Sequence, residues 1–278
     1  MTSKSNTPST QPEELLPVLA LRNTVLFPQQ VIPIYIGREK SLELIEDLPE
    51  NDKKIAVVAQ KNGSLEDPSS DDLYNFGSIA QVLKVFNMPD GSKSAIVQGL
   101  ERAIIDEYQQ ITPYFTAIVR PLGEQYEPNI EIDALVSNLK TVYEKLINVA
   151  PYLSEEHKSI LSNIQHPGRM VDRALQLINV SVDEKQGVLE ELDIHNRLEK
   201  ATIIINREIQ RIELGEMIQS EVQDEISKTQ REYFLREQLK KIKKELGEDE
   251  GSVEMDELKE KLNPLISLKK PVKSQEKN

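Results

Sequence analysis

From residue 15 to about 122, short apolar runs rich in Val, Ile, Phe and Tyr alternate with breaks of Pro, Gly, Asn and Asp. A half-buried strand repeats every two residues and a turn needs residues that tolerate its dihedral angles, so this half is written as strands and turns. Strands are expected at 18–21, 31–35, 55–59, 78–86, 94–98 and 115–120. Pro89, Asp90 and Gly91 mark a hairpin turn, with Gly91 suited to a positive φ. One helix interrupts, at 38–47, where Leu42 and Ile45 share a face and Pro49 closes the segment. The loop at 62–72, rich in Ser, Asp, Gly and Pro, is expected at the surface.

After Pro128 the period changes. Ile132, Leu135, Leu139, Val142, Leu146 and Val149 form one helical stripe, Pro151 stops it, Ser154 can cap the next helix, and Pro167 fits the first turn of a third. No proline occurs from Ile194 to Leu246, a stretch that spans roughly 80 Å as a single helix. Its apolar positions run Ile194, Leu198, Ala201, Ile205, Ile209 and Ile212, then Ile218, Val222 and Ile226, then Leu235, Leu239, Ile242 and Leu246. The phase slips near Gly215, so a bend or a change of packing partner is expected there. The fold class is therefore α+β: a β-rich domain at 15–122 with one helix against a curled sheet, a helical subdomain at 129–192, and a long helix at 193–247. The flanking segments 1–14 and 248–278 read as disordered tails.

Composition narrows the function. The formal charge is −13, which disfavours nonspecific nucleic-acid binding because affinity for phosphates comes from clustered Lys and Arg. One local exception is 228–246, where basic residues outnumber acidic ones and a solvated helix face is the simpler reading. No stretch approaches the ~20 apolar residues of a membrane helix, and the first residues have neither the apolar core of a signal peptide nor the Arg of a transit peptide. Without Cys there is no disulfide or thiolate chemistry, which fits a reducing cytoplasm.

Candidate chemistry is sparse. No Gly is followed by Lys, so the phosphate-cradling loop of P-loop enzymes is absent. His157, His166 and His195 have no His or Cys partner at i+4, which argues against a metal site, and His166 and His195 read as surface or capping residues. No local nucleophile signature is present. Catalytic, cofactor and metal residues are all expected to be none.

Three segments carry a resemblance. LALRNTVLFPQQVIPIYIGREKS at 19–41 resembles the opening of the Lon N-terminal domain: a Leu-Arg strand, a Phe-Pro turn, a Pro-containing strand, and Gly-Arg-Glu-Lys-Ser entering a helix. GSIAQVLKVFNMPDGSKSAIVQGLERA at 77–103 is similar to its second signature, in which a Gly begins a strand, Pro-Asp-Gly turns the hairpin, and Gly-Leu-x-Arg ends the return strand. QREYFLREQLKKIKKELGE at 230–248 looks like the segment leading into the ATPase module of Lon ATP-dependent proteases. The resemblance implies a PUA-like pseudo-barrel that engages substrates, a helical subdomain, and a long helix leading toward a hexameric ATPase ring. ATP and Mg would belong to that ATPase, and the chain is expected to end before it and before the Ser-Lys peptidase.

The expected function is binding of unfolded or damaged client proteins and subunit assembly by self-association, with no membrane role. Candidate client-binding residues are Phe27, Val31, Phe86 and Met88, because turns and strand ends can leave them uncovered; burial in the core is the commoner fate of each. Ile218, Val222, Tyr233, Phe234 and Leu235 are the candidate assembly residues. A stand-alone helical oligomerisation scaffold, or a Lon-domain binding protein, is the alternative.

Overall fold

A computed structural model describes residues 12–50, 52–124 and 126–245. The expected tails at 1–14 and 248–278, apart from residues 12–14, lie outside the described residues, as does Leu246. The elements are β1 (Glu14–Leu21), β2 (Val31–Ile36), α1 (Glu39–Asp47), β3 (Lys54–Gln60), β4 (Leu73–Asn87), β5 (Lys93–Gln110), β6 (Thr116–Leu122), α2 (Ile130–Val149), α3 (Glu155–Ser162), α4 (Pro167–Leu177), α5 (Val182–Leu189) and α6 (Ile194–Glu245). They divide into two units, one ending at Glu213 and the other beginning at Leu214.

In the first unit the strands run β2-β5-β4-β3-β1-β6, and β6 pairs again with β5. That second pairing closes five strands into a ring and leaves β2 as an added edge. Closure depends on the length of β5, whose first half pairs with β2 and whose second half pairs with β6. The sequence places the end of the return strand at Gln98, followed by Gly-Leu-x-Arg; the strand instead continues through Gly99 to Gln110. Gly99 marks a close approach rather than a stop, since a Cβ there would lie 2.2 Å from the Phe27 carbonyl oxygen. Register shifts in the β4–β5 and β5–β6 pairings let these long strands bend around the ring.

β1 and β3 are buried on both faces. Leu19, Leu21, Ile55 and Val57 join α1 residues Leu44 and Ile45 in one cluster. Leu16, Val18, Ala56 and Val58 pack into another with Ile79, Phe115 and Val119. A strand enclosed on both sides has no solvent face to mark with polar residues, which explains the unbroken apolar run of β3.

The helices up to Ile209 build a third cluster from Leu139, Leu146, Met170, Leu175, Val188, Leu198 and Ile205, and it takes in Val25 and Phe27 from the β-rich half. Local signals define their ends. The Asn129 side chain accepts from the Glu131 and Ile132 amides at the start of α2. Ser154 caps α3 reciprocally with His157, and Pro167 opens α4. α5 joins the sheet through Gln186 Nε2, which donates to the Phe76 carbonyl at 2.9 Å, and through Tyr74 Oη, which donates to Asp183 at 2.7 Å.

In the second unit α6 is helical through Gly215 to Glu245, with every side chain from Glu213 onward exposed.

Candidate functional site

Charged side chains tie strands to helices inside the first unit. Arg102, on β5, is 3% exposed and donates through both terminal nitrogens to Asp172 on α4, at 2.9 and 2.6 Å. Its Nε donates to the Leu189 carbonyl at 3.0 Å. Arg197 on α6, fully buried, pairs with Glu124 and donates from Nε to the Glu191 carbonyl at 2.6 Å. Burial pushes the Asp172 carboxyl up, against the pull of Arg102. Burial lowers the Arg197 guanidinium, helped by the like charge of Arg102. Arg102 is the arginine of the Gly-Leu-x-Arg signature, so that motif fixes the sheet to the helices. It does no chemistry that the structure reveals.

His166 stands at the N-cap of α4 without a side-chain capping bond. Its ring meets Tyr126 edge-on at 4.8 Å. His195 is half-buried, 3.8 Å from Glu199. Among the described residues no group of three or more His, Asp or Glu is placed to hold a metal ion.

The exposed apolar surface of the sheet lies where β2, β5 and the far end of β4 pair. Pro33 aligns with Ile96 and Tyr35 with Ser94; across β5, Ile96 aligns with Lys84 and Ser94 with Phe86. Val31, Tyr35, Leu83, Phe86 and Met88 are all exposed there, from 41% for Phe86 to 66% for Tyr35. Met88 enters the Pro89-Asp90-Gly91 turn, where Gly91 has φ 84° as its position requires. Asp90 accepts from the Ser92 side chain and backbone, which hold its carboxyl below the usual carboxylate range. Tyr35 Oη donates to the same carboxylate at 3.3 Å, and the Lys84 ammonium lies 4.8 Å from the Phe86 ring centre.

Val31, Phe86 and Met88 thus come together on one surface, but Phe27 does not. It is fully buried among the helices, which corrects its reading as an uncovered turn residue. The Gln30 amide donates to the Phe27 carbonyl at 3.2 Å and the Gln30 side chain accepts from the Phe27 amide at 3.0 Å. That turn directs the ring inward, against helices that follow a hundred residues later. Tyr35 and Leu83 are exposed on the same part of the sheet and are not among the residues singled out from the sequence. The alternation Val31, Pro33, Tyr35 along β2 carries the signal for Tyr35; Leu83 sits at a register shift that a strict period does not reveal. Ile218, Val222, Tyr233, Phe234 and Leu235 are exposed along α6, with Leu214, Met217, Ile226, Leu239 and Ile242.

The family model of the ATP-dependent protease La (LON) substrate-binding domain matches residues 15–207. The chain belongs to this family. Among curated relatives, the Lon protease of Dictyoglomus thermophilum is 41% identical over 250 residues, covering 90% of this chain and 31% of that protein. The Lon protease of Koribacter versatilis is 44% identical over 250 residues, covering 89% of this chain and 31% of that protein. The chain therefore spans about a third of the length of these relatives. The N-terminal domain of a Mycobacterium avium complex Lon protease shares the fold, with a TM-score of 0.56 at 21% identity over 71% of this chain and 98% of that one. The pseudo-barrel and helices described above are thus those of a Lon N-terminal domain. None of its described helices is long and apolar enough to cross a membrane.

Proposed function

We propose that this Lon substrate-binding domain takes hold of unfolded segments of client proteins on the face formed by Val31, Tyr35, Leu83, Phe86 and Met88. The observation that carries this reading is the clustering of five large apolar side chains, all exposed, on one part of the sheet. Uncovered apolar surface favours association at ~25 cal/mol per Å² buried, and contiguous patches of it mark interaction sites. β2 is an edge strand, yet Pro33 cannot donate to an added strand. Capture therefore works through side chains, which suits clients that share no sequence. A single patch without a closed ring offers no avidity, so binding is micromolar or weaker.

Assembly is the second part of the reading, supported by the exposed stripe of α6, on which Ile218, Val222, Tyr233, Phe234 and Leu235 would meet other subunits. In a whole Lon-type protease, a hexamer would place ATP and Mg in an ATPase module and proteolysis in a peptidase, leaving no cofactor on this chain. The domain limits 15–122, 129–192 and 193–247 belong to this proposal, as does a cytoplasmic setting.

Fluorescence anisotropy with a denatured client and its folded counterpart tests the capture role. The denatured form should bind, and a Tyr35→Ser/Phe86→Ser/Met88→Ser variant should weaken it by about tenfold or more, as expected when three large apolar side chains no longer bury surface against the client. Equal binding to both clients, or an unaffected variant, removes the sheet face from the reading.

A further inference from the structure

A second surface differs in chemistry from the apolar sheet face. A cleft of about 640 Å³ lies between the turn at Pro28–Gln29 and the helices α3 and α4. Ile160 and Ile164 line it with Pro28, and Arg169 and Arg173 reach it from α4. The two arginines are four residues apart, so they are neighbours on one helix face. Arg169 is exposed and Arg173 half-buried.

Arg102, Arg120, Arg197, Arg207 and Arg211 each hold a carboxylate. Among the described residues neither Arg169 nor Arg173 forms an ion pair, and they have one acceptor between them, the Gln176 side chain, which Arg173 reaches at 3.0 Å. Arg22 and Arg38 hold no carboxylate either, but both donate to the Leu65 carbonyl. In a chain of net charge −13, two adjacent arginines without a carboxylate partner stand beside apolar walls. Glu124, which approaches His166 to 3.7 Å, is already paired with Arg197 and does not neutralise them. The rim carries a further mark. Gln29, a non-glycine residue in a turn, is held at φ 62°, a left-handed conformation that costs an L-residue free energy.

We propose that this cleft takes an extended polypeptide segment in which an Asp or Glu carboxylate adjoins an apolar side chain. The carboxylate spans Arg169 and Arg173, whose planar donors match it in geometry. The apolar side chain lies against Ile160, Ile164 and Pro28. Nucleic acid fits poorly, because two guanidiniums make no phosphate track and the net charge repels a polyanion. The inference rests on the reading of this domain as one that engages clients, but it assigns a different surface and selects clients by charge.

The test uses the full chain and a labelled peptide, Ser-Gly-Leu-Glu-Glu-Leu-Gly-Ser, with an analogue in which Gln replaces both Glu. The Glu peptide should bind at least about tenfold more tightly than the Gln peptide, in line with charge-assisted hydrogen bonds, and lose that advantage in high salt. Arg169→Gln/Arg173→Gln should remove the difference while leaving the melting curve and the affinity for a denatured apolar client unchanged. Arg169→Gln alone, at an exposed position, should remove part of it. Equal affinity for both peptides, no response to either variant, or tighter binding of a labelled oligothymidylate would overturn the proposal. The sheet-face variant Tyr35→Ser/Phe86→Ser/Met88→Ser separates the two readings, since it should weaken the denatured client and spare the Glu peptide.

Discussion

α6 presents the same kind of residue in two different situations. In its first part Ile194, Leu198, Ala201, Ile205 and Ile209 are buried, Leu198, Ala201 and Ile205 completely. In its second part Ile218, Val222, Ile226, Leu235, Leu239 and Ile242, spaced much as before, are about half exposed. Apolar periodicity states which face of a helix is apolar; it does not state what covers that face. The first part belongs to one buried cluster with side chains of α2, α3, α4 and α5 and with Phe27. The second has no such cover among the described residues, so its apolar side chains are free to meet another molecule. The difference is measurable, and substitutions with unequal consequences along the chain can break or sharpen it.

The largest effect is expected where the first part of α6 and its neighbours enclose charge. Arg102→Ala would leave Asp172, 2% exposed, as a buried carboxylate without its bidentate partner. Such a loss costs about 3–5 kcal/mol, which for a unit of this size lowers the melting temperature by roughly 10 °C. Replacing both partners, as Arg102→Met/Asp172→Leu, should recover most of that loss, because an apolar pair leaves no stranded charge. Thermal unfolding followed by circular dichroism checks both. If Arg102→Ala melts with the parent chain, the node does not fasten the helices to the sheet.

A smaller effect separates the two parts of α6 directly. Ile205→Ala, at a fully buried position, should cost about 2–5 kcal/mol through lost transfer energy and the cavity left behind. Val222→Ala, at a position 50% exposed, should stay within about 0.5 kcal/mol in the dilute chain. Chemical denaturation at low concentration measures both; similar losses would mean that Val222 is covered after all.

Much of this arrangement is legible in the sequence, for reasons that can be traced. The period of two in the first half and the change of period after Pro128 announce the strands and the helices. Ser154 and Pro167 mark helix starts on sight because capping is a local event, although Asn129 escapes the same reading. What the sequence hides is non-local. Gly99 looks like a strand end, since a glycine weakens a strand and nothing nearby shows the Phe27 carbonyl that demands it. Phe27 looks exposed because Phe-Pro reads as a turn, and its burial depends on helices far along the chain. Arg197 and Asp172 look like ordinary surface charges, and only the folded chain shows that they face Glu124 and Arg102. The surface candidates divide in the same way: Val31, Phe86 and Met88 lie together, whereas Tyr35 and Leu83 need the register of the sheet.

The last expected effect leaves the folded first unit untouched and appears only in association. Ile218→Ser/Val222→Ser/Leu235→Ser removes apolar area from the second part of α6 without touching any buried residue. Its melting curve at low concentration should match that of the parent chain. A helix without a packed face is marginal in water by propensity alone. At high concentration the parent should therefore gain mass in sedimentation and slow its amide exchange beyond Leu214, while the variant does neither. Two forces compete along this stripe: burial of apolar side chains between chains, and the entropy of free helix ends that favours fraying in the monomer. Concentration decides between them, which is why exchange and sedimentation have to be read on the same samples. Full exchange protection to Glu245 in a chain that stays monomeric at every concentration would show that the stripe is satisfied within one molecule. The contrast between the two parts of α6 would then disappear, and the assembly role would fall with it.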